Sequence, residues 1–145
     1  MTNAALVARK LAVLGDHLER LRQRRPESLA ALEANLLLQD AMAMSILVLV
    51  QEAMDIALHI ASDEGWELAS TYREAFGVLA KHGVIDPALA LSLAATANLR
   101  NRIAHGYASV DVARVWTELP GGISAFESFA RAVAALLAQT DERKA

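Results

Sequence analysis

Between Asn98 and Tyr107 stand two arginines, two asparagines, a histidine and a tyrosine, set in an otherwise apolar, alanine-rich segment. These are groups that handle phosphates and protons. The planar guanidinium of Arg100 or Arg102 keeps its charge and offers a fixed fork of donors, which suits a phosphate or a developing oxyanion. His105 carries the side chain that titrates unperturbed between about pH 5 and 8, so it can take or return a proton during a reaction. Gly106 follows it, a residue favoured where a helix ends in a left-handed turn. That spacing puts His105 and Tyr107 at a helix terminus, where side chains can meet a ligand.

Helix geometry constrains how these groups can cooperate. At roughly 100° per residue, Arg100 and His105 point about 140° apart, while Asn101 shares a face with His105 and Arg102 also neighbours it. Arg100 and His105 are the candidate catalytic residues, and Asn101 and Arg102 the candidate substrate-binding groups. For Arg100 and His105 to act together, either the last turn unwinds or a second copy of the chain completes the site. The plainer reading is a helix end where His105 and the arginines cap carbonyls and balance the dipole.

What must position this stretch is a helical scaffold. The chain has 145 residues, 54% of them hydrophobic and only 5% aromatic, with seven glycines and three prolines to interrupt helices. One domain over 1–145 accommodates that length, with 1–2 and 140–145 expected to fray. The absence of cysteine excludes disulfides, thiolate zinc sites and cysteine nucleophiles. A net charge of −3 gives no global attraction to nucleic acid, so such binding would need a local patch. No signal peptide is visible, and the most apolar run, Ala41 to Val50, is far below the ~20 residues that span a bilayer. A cytoplasmic protein with no membrane partner is expected.

In chain order, Val7, Leu11, Leu14, Leu18 and Leu21 form one stripe of a first helix from about Asn3 to Arg24, stopped by Pro26. The basic cluster Arg20, Arg22, Arg24 and Arg25 at its end reads as solvated dipole partners, with a secondary RNA contact as the other reading. Glu27 to Glu64 holds neither glycine nor proline and predicts a helix of roughly 35 residues, bent if at all near Gln39-Asp40. Its middle is apolar on several faces, so it should be central and a candidate for burial against a partner chain between Ile46 and Met54. His59, one turn after Asp55, suggests a structural hydrogen bond rather than a metal site.

Ser62 to Gly65 is a turn, and Thr71 with Glu74 forms a capping box for a helix from Tyr72 to His82-Gly83. Asp86 and Pro87 open the helix that carries Leu89, Leu93, Ala97 and Ile103 into the polar stretch. Ser109 or Asp111 opens another, which Pro120-Gly121-Gly122 should break or kink. Ser124 with Glu127 then caps a last helix, lined by Phe126, Phe129, Val133 and Leu136. The result is an all-α, up-and-down bundle of five to six helices. Phosphate-binding loops, dinucleotide glycine signatures, serine elbows and acidic metal clusters are all absent from the sequence, so chemistry without metal or cofactor is expected.

Arginine, four residues, histidine, one residue, tyrosine is a pattern that Arg100, His105 and Tyr107 meet without insertion, with Asn101 after the arginine. The chain here resembles HepT-like toxins of the HEPN superfamily. The likeness includes Met54 to Ile60, Thr71 to Phe76, Leu79 to Ile85, Val110-Asp111 and Val115-Trp116, about two-thirds of the chain in order. It implies a homodimer whose arginines and histidines line a shared cleft, and metal-independent RNA cleavage. It also implies a nucleotidyltransferase antitoxin of the MntA type that silences the toxin by moving AMP from ATP onto the motif tyrosine, here Tyr107. Pro120-Gly121-Gly122 departs from a final segment that relatives keep more continuously helical. Two other functions stay open on the residues: a non-catalytic helical dimer that binds a nucleotidyltransferase or nucleotide, and a purely structural bundle.

Overall fold

The computed structural model describes residues 3–105 and 111–144. Six helices follow one another: α1 Ala4–Arg24, α2 Leu29–Glu33, α3 Leu36–Asp63, α4 Tyr72–Lys81, α5 Pro87–His105 and α6 Val112–Lys144. All six contribute to one buried cluster.

Most boundaries are set by side chains that satisfy the free N–H groups of a first turn. Asn3 accepts from Leu6 N at 3.2 Å, Thr71 from Glu74 N at 3.1 Å and Asp86 from Leu89 N at 2.8 Å. Asp111, rather than Ser109, caps α6, accepting from Ala113 N and Arg114 N at 3.0 and 3.3 Å. Two helices end on left-handed glycines, Gly65 at φ 72 and Gly83 at φ 78. The residue after each donates back into the last turn, Trp66 N to Ala61 O at 2.8 Å and Val84 N to Leu79 O at 2.9 Å.

Three expectations are corrected. The stretch from Glu27 to Glu64 is two helices, divided at Ala34-Asn35 and not at Gln39-Asp40. Asn35 takes the Leu38 N–H at 3.0 Å as a cap, while Gln39 Nε2 donates to the ending carbonyls of Leu32 and Glu33 at 3.0 and 3.2 Å. Neither glycine nor proline is needed for that break. Pro120-Gly121-Gly122 does not break α6, which runs through it for 33 residues. The triplet disfavours helix by about 3 kcal/mol for the proline and about 1 for each glycine, and packing on either side overrides it: Leu119, Ile123, Phe126, Phe129 and Val133 are all buried. Ser124 and Glu127 therefore lie mid-helix and cap nothing.

α3 is the centre of the bundle and packs on every other helix. Its inner residues include Ile46, Leu49 and Val50, at 3%, 1% and 1% exposure. These belong to the protomer's own core, so they are not available to a second chain. The apolar surface that α3 leaves open is elsewhere, at Leu36, Leu37 and Met44. By length and composition α3 and α6 could each cross a membrane, but half of the most apolar window of α3 is buried inside the bundle. A carboxylate at Val50 would have no partner there. Val50→Asp should cost more than about 3 kcal/mol, a large part of a typical domain's stability. Circular dichroism should report an unfolded chain; a helical monomer would mean that Val50 faces a partner after all.

The basic end of α1 is largely tied into the fold. Arg22 bridges Glu19 at 3.0 Å and Glu127 of α6 at 2.8 Å. Arg25 lies over the Trp116 ring at 4.9 Å. These pairs favour the solvated, structural reading of the cluster.

Candidate active site at the end of the fifth helix

α5 carries Arg100, Asn101, Arg102 and the backbone of His105 on one uninterrupted helix end. The side chain of His105, and residues 106–110 with Gly106 and Tyr107, lie outside the described residues. Leu93, Ala97, Leu99 and Ile103 are buried and hold the helix onto the core. The polar residues between them are thereby turned outward in different directions.

Arg100 faces α4. Its guanidinium carbon stands 5.8 Å from the centre of the Tyr72 ring, a cation–π contact. Nη1 donates to Asn101 Oδ1 at 3.3 Å. Nε is buried and has no hydrogen-bond partner among the described residues. A buried donor left unpaired is costly and rare in a folded protein. Here it belongs to a permanent cation, which an anion or a carbonyl oxygen could satisfy.

Arg102 faces the other way, toward α6, with Nη2 3.4 Å from Glu118 Oε2. Arg114 holds the other oxygen of the same carboxylate, Nε to Oε1 at 2.8 Å. Two cations thus share one anion. An exposed pair of this kind stabilises by about 0–1 kcal/mol, so Arg102 can leave it for another anion at little expense. The structure therefore brings Asn101 to Arg100 and separates Arg102 from both.

The other three histidines have settings of their own. His17 pairs its Nδ1 with Ser45 Oγ at 3.1 Å, and burial, then Arg20, pushes its pKa down. His82 stacks on Trp66 with ring centres 4.1 Å apart and pairs with Glu67 at 2.8 Å. The carboxyl of Glu67 is pulled down to about 2, first by Lys81. His59 sits half-buried on α3, and Asp55, expected as its partner, takes Lys10 at 3.1 Å and Gln51 at 3.0 Å. Sequence reasoning gave no role to Tyr72, Arg114 or Glu118. Tyr72 had one visible signal, its place just after the cap Thr71 in the stretch Thr71 to Phe76 that carries the family likeness.

The bundle thus presents a cationic helix end that leads into a histidine. The family model described as Ribonuclease HepT-like matches residues 14–133. The chain belongs to the HepT-like ribonuclease family. It is 26% identical over 144 residues to the tRNA nuclease HepT of Aphanizomenon flos-aquae (strain 2012/KM1/D3), covering 98% of both chains. Among solved structures, a mutant of the toxin–antitoxin MntA–HpeT is 22% identical, with TM-score 0.81 over 89% of this chain and 98% of that one. The tri-AMPylated Shewanella oneidensis HEPN toxin in complex with MNT antitoxin is also 22% identical, with TM-score 0.79 over 93% and 99%. The cytosolic protein of unknown function YutE from Bacillus subtilis, 11% identical, reaches 0.82 over 96% and 93%. These three likenesses show the fold.

Proposed function

We propose that this chain is the toxin of a toxin–antitoxin pair, a metal-independent RNA endonuclease that works at a dimer cleft. The observation that carries the reading is Arg100: a permanent cation whose buried Nε has no hydrogen-bond partner among the described residues, five residues before His105. Membership of a ribonuclease family and a relative named as a tRNA nuclease support RNA as substrate, with tRNA the first to try.

In this mechanism His105 takes the proton of a ribose 2′-hydroxyl. The 2′-oxygen attacks the adjacent phosphorus, and the bond to the 5′-oxygen of the next nucleotide breaks. That oxygen leaves with a proton from the imidazolium or from water, so the products are a 2′,3′-cyclic phosphate and a 5′-hydroxyl. Arg100 stabilises the charge that builds on the phosphate oxygens, and Asn101, already bonded to it, holds its fork in place. Arg102 is a second substrate-binding group. A homodimer would pool two such helix ends about a two-fold axis, which relieves the angular separation of Arg100 and His105. Sedimentation equilibrium at micromolar concentration reads this directly, and a fully active monomer would overturn the shared cleft.

The partner in this reading is a nucleotidyltransferase antitoxin of the MntA type, which silences the chain by AMP transfer to Tyr107. A toxin of the same fold that is tri-AMPylated and bound to an MNT antitoxin supports it. The chemistry is tested by incubating the chain with tRNA in EDTA. Among the described residues no three His, Asp or Glu side chains converge as metal ligands. Under the proposed mechanism cleavage should persist with chelator and leave cyclic phosphate ends. Loss of all cleavage with EDTA, restored by a divalent cation, would replace this mechanism with a metal-dependent one.

A further inference from the structure

Pro120-Gly121-Gly122 is the most helix-averse triplet in the chain, yet it lies inside α6. The backbone does not require the glycines, because the left-handed φ values among the described residues belong to Gly65 and Gly83. Packing does not require them either. A Cβ at Gly121 would meet nothing within 4 Å, and one at Gly122 would stand in ordinary contact, 3.6 Å from Thr96 Oγ1. What the two glycines do is leave a hollow. They line a cleft of about 410 Å³ between α5 and α6, beside the motif helix end.

The chemistry of this cleft is specific. Its floor is apolar, with Leu99 and Phe126 buried beneath it. Its walls carry Ser92, Thr96 and Thr117. Each hydroxyl donates to a carbonyl four residues back, at 3.2, 3.2 and 3.0 Å, so each oxygen is left to accept. At one end sit Arg102 and Arg114 around the single carboxylate of Glu118. A fitting ligand has a flat apolar body that bears N–H donors, and an anion at one end. The volume lies in the ordinary range of small-molecule sites.

We propose that this cleft binds one nucleotide: the base on the apolar floor, its exocyclic amino group donating to the wall hydroxyls, and its phosphate at Arg102 and Arg114. The assignment of that nucleotide to a strand of substrate RNA rests on the nuclease reading above; the cleft's chemistry does not. Arg100 and Arg102, turned to opposite sides of α5, then have separate tasks. Arg100 meets the reacting phosphate, and Arg102 holds a neighbouring nucleotide and so selects where the strand is cut.

The test uses the full chain with 5′-AMP and 5′-UMP as probes in a calorimetric titration, and a single-stranded RNA oligonucleotide as competitor. AMP should bind, UMP should bind more weakly, and the oligonucleotide should displace AMP. Gly122→Leu exchanges a helix breaker for a helix former and fills the hollow. It should keep or raise Tm while weakening AMP at least about tenfold. If that variant does not fold, Arg114→Gln on the exposed rim should weaken AMP in the same direction. No AMP binding by the wild-type chain at millimolar concentration, or wild-type affinity in a folded Gly122→Leu chain, would overturn the proposal. AMP binding that RNA does not displace would assign the cleft to a free nucleotide and overturn its role in the strand. AMP binding without any RNA cleavage would sink the nuclease reading alone, whereas cleavage unchanged in rate and position by Gly122→Leu would sink the cleft's role alone.

Discussion

Alanine at His105 should lower the rate of RNA cleavage about 10²–10⁴-fold, the usual contribution of a positioned acid–base group. Alanine at Arg100 should cost about 10²–10³-fold, as the loss of one charged donor to an oxyanion does. Both should also abolish growth inhibition. Initial rates on tRNA, with circular dichroism as a check on folding, read these effects. The Arg100 result is interpretable because that side chain contributes little to the fold. Its contact with the Tyr72 ring is worth about 0.5–1 kcal/mol, too little to unfold the bundle. Arg100→Lys separates charge from shape: it keeps the cation and loses the fork, and should recover only part of the rate. Full activity in the His105→Ala chain would end the mechanism.

Co-expression with an MntA-type nucleotidyltransferase should silence the wild-type chain and fail to silence Tyr107→Phe. Tyr107 follows His105 by two residues in sequence, so an AMP group there would put a phosphate and a bulky nucleoside close to the proposed catalytic histidine. Repulsion of the RNA backbone and steric blocking act in the same direction, and nearby arginines could grip the added phosphate in place of substrate. Mass spectrometry should find one or more AMP units on the peptide that contains Tyr107. Modification found only elsewhere, or full neutralisation of the Tyr107→Phe chain, would defeat this switch and favour simple masking by the bound partner.

The fold was legible wherever a local signal decides the structure. Thr71, Asp86 and Asp111 cap the helices that their spacing suggested, and Gly83 ends α4 in the left-handed conformation that a glycine after a helix suggests. The failures come from competition between local preference and distant packing. Asn35 starts a helix inside an apparently unbroken stretch, because Gln39 reaches back to satisfy α2. Ser124 and Glu127 have capping spacing, but Glu127 serves Arg22 on a helix more than a hundred residues away in sequence. Of the site, the helix end and its polar residues were visible from spacing alone. Tyr72 beneath Arg100 and Glu118 beside Arg102 were not, since only the packing of α4 and α6 onto α5 brings them there.

The position of α6 also governs when the molecule can become active during its synthesis. Phe126, Phe129 and Val133 are buried core residues of this final helix, and the Phe129 ring meets Phe76 edge-on at 5.9 Å. A nascent chain that ends before them has α1 to α5 but an open core. At about 5–20 residues per second, the 33 residues of α6 take roughly 2–7 s to add. Until then the end of α5 has no Glu118 beside it, and Phe76 has no ring to pack on. Translation itself thus imposes a delay before the bundle is complete, and under the proposed function an antitoxin made at the same time would have that interval in which to be ready.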